Sequence, residues 1–138
     1  MRKDDCIFCK IAAGEIPSAT VYEDERFRVI LDLGPAQKGH MLILPKDHFA
    51  DVTEIDSVTA VHVLPLAARL GAAAKKGLGC DGFNLVQNNG PAAGQTVMHF
   101  HMHVIPRWDG GPEIVAWTPG EQTAEEREET AAAIREAL

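Results

Sequence analysis

Between residues 20 and 44 the apolar positions come in short runs broken by charge. "TVYEDERFRVILDLG" predicts two strands, Thr20–Tyr22 and Phe27–Asp32, around the charged turn Glu23–Arg26, because β-branched and aromatic side chains fit a pleated, half-buried surface. "GHMLILP" predicts a third strand, His40–Leu44, stopped at Pro45, which has no N–H to give a ladder. Beyond residue 56 the runs lengthen. "DSVTAVHVLPLAARLGAAAKKGLG" predicts a long helix, capped by Asp56 or Ser57 and ended by Gly77 or Gly79. Its apolar stripe is expected through Val58, Val61, Leu64, Ala68 and Leu70, with a kink at Pro65. "GFNLVQN" (82–88) reads as a fourth strand and the segment around His99–Ile105 as a fifth. The tail 118–138 carries a Thr123-x-x-Glu126 capping box and predicts a terminal helix. Short strands, a helix, two strands and a helix make an α+β domain spanning 1–138. It would hold a mainly antiparallel five-stranded sheet, one long central helix and a C-terminal helix.

The fifth segment also carries the chemistry. In "QTVMHFHMHVIPR" (95–107), His99, His101 and His103 recur at every second position, half of the chain's six histidines. On a helix that spacing would point neighbouring rings in nearly opposite directions. On a strand it puts all three on one face, with Phe100, Met102 and Val104 on the other. The outer two would be attached roughly 13 Å apart, too far to close together on one metal ion without bending the strand. Three titratable rings facing one way and apolar anchors facing the other describe a site. Imidazole at this density suits either metal ligation or nucleophilic catalysis, and the spacing alone does not choose.

Composition narrows the partners. With 46% hydrophobic and 24% charged residues in 138, the chain is ordinary globular material with length enough for a core. A net charge of −7 and a pI near 5.3 argue against nucleic acid or an anionic membrane as partner. An anionic ligand would have to be held locally, by histidines, backbone N–H groups or a helix N-terminus. No signal peptide and no run approaching ~20 apolar residues is visible. Three cysteines, two of them as Cys6-x-x-Cys9, suit a reducing compartment, so a cytoplasmic protein is expected. Cys80 reads as a buried filler and His62 as surface or packing. Between the fourth and fifth strands, "QNNGPAAGQT" is either an ordinary hairpin connection or a loop whose N–H groups wrap a phosphate.

The pattern His99-Phe-His101-Met-His103-Val-Ile105 resembles the signature of the histidine triad (HIT) family of nucleotide hydrolases and transferases. "CIFCKIAAGEIPSATVYEDERFRVILD", "GHMLILPKDH" and "GPAAGQTV" resemble further blocks of that family, so the likeness runs over residues 4 to 107. It implies a HIT-like fold, a homodimer sharing one continuous sheet, and hydrolysis of NMP–X, commonly a purine nucleoside 5′-phosphoramidate. The implied route is a covalent nucleotidyl-histidine on His101, its other ring N–H held by a backbone carbonyl. His103 and His40 would flank the phosphate, Thr96 and Gln95 would donate to phosphate or leaving-group oxygen, and Asn88 would touch the phosphate. Asp32 would bind the ribose hydroxyls, and Ile7, Phe8, Ile11, Ile30, Leu33 and Leu42 would wall the base. An imidazole with a pKa of about 6.5 is largely neutral at pH 7 and attacks phosphorus without a separate base.

In bacterial, phosphoramidase-like members the resemblance further implies a structural zinc on Cys6, Cys9, His48 and His99, with no organic cofactor. Taken without the family, Asp32 reads as a turn residue, the apolar set as core and His40 as a plain strand start. Two other functions fit the same residues. "GPAAGQTV" resembles the dinucleoside polyphosphate hydrolases as much as the phosphoramidases, and Thr96 stands where many phosphoramidases have serine. The other is a low-turnover nucleotide-binding scaffold: "VAWTPG", with Trp117, resembles a segment that in some relatives reaches the partner subunit's site.

Overall fold

The structure is a computed structural model describing residues 1–138. Its elements in chain order are α1 (Ile7–Ala12), β1 (Thr20–Glu23), β2 (Phe27–Leu31), β3 (Met41–Pro45), α2 (Ser57–Leu78), β4 (Gly82–Val86), a 3-10 turn (Pro91–Ala93), β5 (Met102–Arg107) and α3 (Ala124–Ala137). The strands form one antiparallel sheet in the order β1-β2-β3-β5-β4. β3 lies in the middle, and every one of its residues is buried, as a strand covered on both faces requires. One face carries α2 over Phe27, Val29, Met41, Ile43, Phe100, Met102 and Val104. The other face carries the short α1 over Ile30, Leu42 and Leu44. The α+β reading and the antiparallel five-stranded sheet hold.

The caps of the long helices are those the sequence predicts. Asp56 accepts from the Thr59 N–H, and Gly79 ends α2 at φ 68°, a left-handed conformation that glycine takes without a Cβ penalty. Thr123 and Glu126 form the capping box of α3. The buried stripe of α2 differs from the expected one. It runs through Thr59, Val63, Leu66, Ala67, Leu70, Gly71 and Ala74, while Val58, Val61 and Leu64 are 45, 65 and 57% exposed and Ala68 also faces out. The helix is apolar on two sides, so periodicity could not say which side the sheet takes. Packing decides it at Gly71, where the ring of Phe83 from β4 occupies the place of a Cβ. Pro65 sits on the exposed side of a helix that continues through it.

α2 also corrects the expectation that no run approaches a membrane span. Its 22 residues are long and apolar enough, by length and composition, to cross a bilayer. In the fold they serve as the core helix against the sheet.

Two further departures matter for function. Helix α1 has no periodic signature because it is only 6 residues long, and its N-cap is Cys6, whose Sγ accepts from the Cys9 N–H. The histidine strand begins only at Met102, so His99 and His101 lie outside the ladder and His103 alone pairs with β3, opposite Leu42. The backbone before Met102 is held otherwise. The His99 N–H donates to Val97 O at 2.8 Å and the Phe100 N–H to Phe49 O at 2.6 Å.

Gly71→Ala tests the helix–sheet contact. A Cβ there would lie 2.2 Å from the Phe83 ring, so overpacking of roughly 1–3 kcal/mol outweighs the roughly 1 kcal/mol of helix propensity gained. The expected result is a urea midpoint below the parent's; an unchanged or higher midpoint would show that Phe83 moves aside freely.

Candidate active site

On the α1 face of the sheet lies a cavity of about 260 Å³ lined by Ile7, Phe8, Ile11, Ile30, Leu31, Asp32, Leu33, Leu42, Thr96, His101 and His103. All six residues expected to wall a base meet here, with Asp32, Thr96 and two triad histidines. Leu33 contributes from a fully exposed position and Ile7 is 51% exposed, so these two form the mouth. Leu31, between the nominated Ile30 and Asp32, joins the wall although the sequence reading passed over it. The lining holds no lysine or arginine, and its one carboxylate is Asp32. Asp32 accepts from the Gly34 N–H through Oδ1 at 2.8 Å, and its Oδ2 lies 3.6 Å from His40 Nε2.

Hydrogen bonds assign the ring protons one by one. His101 Nδ1 lies 2.7 Å from the carbonyl oxygen of His99. A carbonyl only accepts, so that nitrogen carries the proton and Nε2 keeps its lone pair. Nε2 makes no hydrogen bond. The buried side-chain nitrogens without a partner are Arg28 Nε and Arg107 Nε, so Nε2 of His101 is not sealed in protein and opens to the cavity its ring lines. His40 accepts from the Ala36 N–H at Nδ1, 2.9 Å away, which leaves its proton on Nε2. That proton is donated to His103 Nδ1 at 2.8 Å, so the His103 proton sits on Nε2. The same reasoning leaves that N–H unburied. The cavity therefore receives one lone pair, from His101, and one N–H, from His103, on rings with centroids 5.0 Å apart.

Charge on these rings is disfavoured. Burial is the main cause in each case: it lowers the pKa values of His40 and His101 and brings that of His103 down to about 4, with neighbouring His101 and His40 adding to the last. The imidazoles are neutral at pH 7.

His99 belongs to a different group. Its ring is fully buried and its Nε2–H donates to Pro45 O at 2.9 Å, which frees the Nδ1 lone pair. Nδ1 lies 3.4 Å from both Cys6 Sγ and Cys9 Sγ, and Cys9 Sγ is 3.4 Å from His48 Nδ1. The four donor atoms all lie within 4.8 Å of one another. In a tetrahedral zinc site, bonds of about 2.3 Å to sulfur and 2.1 Å to nitrogen imply sulfur–nitrogen edges of about 3.6 Å. The donors therefore fit a zinc ion, and the Pro45 carbonyl orients one ligand from behind. Burial pushes the Cys9 thiol up and the His48 pKa down.

Asp32, His40 and His103 also bring donor atoms together, but the Ala36 N–H fixes the His40 proton on the nitrogen that would have to coordinate. That set is a hydrogen-bonded pair beside a carboxylate.

Several nominated residues stand elsewhere. The three triad rings do not share one face: His101 and His103 meet in the cavity, while His99 turns to the thiols once the chain leaves the ladder. His40 supports His103 from beneath without lining the cavity. Gln95 is buried, its Nε2 donating to Ala50 O and Val97 O and its Oε1 accepting from the Gly90 N–H. No N–H is left for a phosphate, so Gln95 braces the loop instead. Asn88 does not line the cavity; its amide packs near Gly94, which takes φ 90°.

Comparisons with known proteins place the chain among relatives. The HIT domain family model matches residues 13–110. Adenosine 5′-monophosphoramidase HNT1 of Saccharomyces cerevisiae is 39% identical over 118 residues, 86% of this chain and 72% of the yeast protein. The crystal structure of SMU.412c from Streptococcus mutans superposes with a TM-score of 0.91 at 36% identity, covering 98% of this chain and 86% of that one. A zinc-bound histidine triad family protein from Mycobacterium smegmatis superposes with a TM-score of 0.75 at 36% identity, covering 97% and 98%. The chain belongs to the HIT domain family.

Histidines kept neutral by burial make stability depend on acid. Below pH about 6.5 the unfolded chain takes up protons that a folded His103, lowered to about 4, refuses. The contribution is whole above pH about 6.5 and drains away as pH falls toward 4. Urea midpoints measured across that window should fall steadily; a flat series would contradict the burial described.

Proposed function

We propose that the chain hydrolyses nucleotides of the form NMP–X, purine nucleoside 5′-phosphoramidates foremost, to a nucleoside 5′-monophosphate. One observation carries the reading: the His99 carbonyl fixes the proton of His101 on Nδ1 and so presents an unprotonated Nε2 to the cavity. The named activity of the yeast relative, an adenosine 5′-monophosphoramidase, supports it.

In this reading Nε2 of His101 attacks phosphorus, the P–Nε2 bond forms as the P–X bond breaks, and X leaves with the bonding pair. Splitting one displacement into two lowers each barrier. The Nε2–H of His103 donates to a phosphoryl oxygen as charge builds there, and His40 holds His103 in the tautomer that allows this. Thr96 belongs to the lining, and in this reading its hydroxyl serves the leaving group. Water then cleaves the nucleotidyl-histidine. Asp32 accepts from ribose hydroxyls, and the apolar wall takes the base.

Cys6, Cys9, His48 and His99 hold a zinc ion in this reading, which the zinc-bound mycobacterial relative supports; the metal supplies structure, and no step passes through it. All three cysteines are free, in keeping with a reducing, cytoplasmic setting. The functional unit is a homodimer. β4 is an edge strand, and Val58, Val61 and Leu64 leave an apolar face exposed on α2. Pairing two β4 edges makes one continuous sheet and removes both liabilities.

His101→Asn should reduce kcat on an adenosine phosphoramidate at least about a thousandfold while AMP still binds. Mass spectrometry of the parent, quenched during turnover, should find one nucleotidyl adduct on the 95–107 peptide. Retained turnover in the variant would defeat the reading. Leu64→Glu, at an exposed α2 position outside the cavity lining, should convert a dimer to a monomer in light scattering; a parent already monomeric at micromolar concentration would rule the assembly out.

A further inference from the structure

The thiol–imidazole cluster and the nucleotide cavity are built from the same pieces of chain. Helix α1 starts at its cap Cys6, contains Cys9, and between and just beyond them supplies Ile7, Phe8 and Ile11 to the cavity wall. Six residues do not make a stable helix unaided. α1 stays in place through the buried Ala12 and Cys9 and through two thiols that meet His99 and His48. Phe8 stands edge-on to both His99 and His101, with ring centroids 6.1 and 4.9 Å apart.

His99 works at both ends. Its Nδ1 points into the cluster, and its carbonyl is the acceptor that orients His101. That carbonyl belongs to backbone outside the β-ladder; its peptide plane is held by the Phe100 N–H bond to Phe49 O, and the anchored ring of His99 holds the residue that bears it.

We infer that the Cys6–Cys9–His48–His99 cluster and the nucleotide cavity are thermodynamically coupled through Phe8 and His99, so that zinc in the one raises nucleotide affinity in the other. This rests on the metal and nucleotide readings given above. His99 and Phe8 are positioning residues here: the metal fastens α1 and the His99 carbonyl, and these place the base wall and the imidazole that nucleotide meets. Coupling between binding sites is reciprocal, so nucleotide must tighten zinc by the factor by which zinc tightens nucleotide.

The test uses zinc ion and AMP on the full chain. AMP affinity is measured calorimetrically on zinc-loaded and chelator-stripped protein, and zinc affinity by competition with a chromophoric chelator, with and without saturating AMP. The expected outcome is one zinc per chain and about a tenfold gain in each affinity, equal in both directions. Phe8→Leu should keep the zinc stoichiometry and reduce the gain to under about twofold.

That variant also guards against a purely structural role. Were the stripped chain to unfold, zinc and AMP would appear coupled through folding alone, and Phe8→Leu would leave the gain intact; that result overturns the inference. Equal AMP affinity in stripped and loaded protein overturns it while leaving the nucleotide reading standing. No AMP binding in either form overturns both, and no zinc uptake removes the inference together with the metal reading.

Discussion

The site depends on one hydrogen bond, from His101 Nδ1 to the carbonyl oxygen of His99 at 2.7 Å. An imidazole free in solution exchanges its proton between two nitrogens, and only one arrangement offers a lone pair where phosphorus would sit. A backbone carbonyl cannot donate, so it selects the arrangement outright, in a setting where burial disfavours the cationic form. The rest of the local structure serves that carbonyl. Phe100 and Met102 hold the flanking chain in the α2 core, Phe8 closes on the ring from the side, and the ring of His99 is gripped at both nitrogens. A second relay, from the Ala36 N–H through His40 to His103, fixes the neighbouring ring with the opposite polarity. Two rings of one residue type thus acquire opposite duties from their partners alone.

How legible this was from the sequence varied with the range of the forces involved. Local signals read well. Asp56, Gly79 and the Thr123–Glu126 box mark helix ends because a cap is a contact within one turn, and the short apolar runs Phe27–Leu31 and Met41–Pro45 mark strands because these strands are largely or wholly buried. The apolar face of α2 did not read well, since Val58, Val61 and Leu64 are as hydrophobic as Val63, Leu66 and Leu70. The choice between them comes from Phe83, a residue of another element packed where Gly71 makes room. Helix α1 leaves no trace in the sequence pattern because a single turn and a half has no period to detect and its cap is a thiol.

For the site, residue types were legible and geometry was not. The alternation of three histidines pointed to one shared strand face, yet the chain joins the sheet only after His101. What displaces His99 is distant in sequence: Cys6 and Cys9 at one end of the molecule and the Pro45 carbonyl at another. Gln95 shows the same limit. An amide beside the histidine segment reads as a donor until its N–H groups are found spent on Ala50 and Val97. The six apolar wall residues, by contrast, do converge, because they sit on elements whose positions follow from simple strand and helix packing.

The cavity lining contains no cationic side chain. Enzymes that grip phosphate with lysine or arginine pay in salt sensitivity and in slow departure of anionic products, because both follow from long-range charge. Here short-range donors, uncharged imidazole and apolar contact would carry recognition instead. Affinity on that basis would vary little with ionic strength, would discriminate by the shape of a ligand more than by its number of charges, and would let an anionic product diffuse away freely.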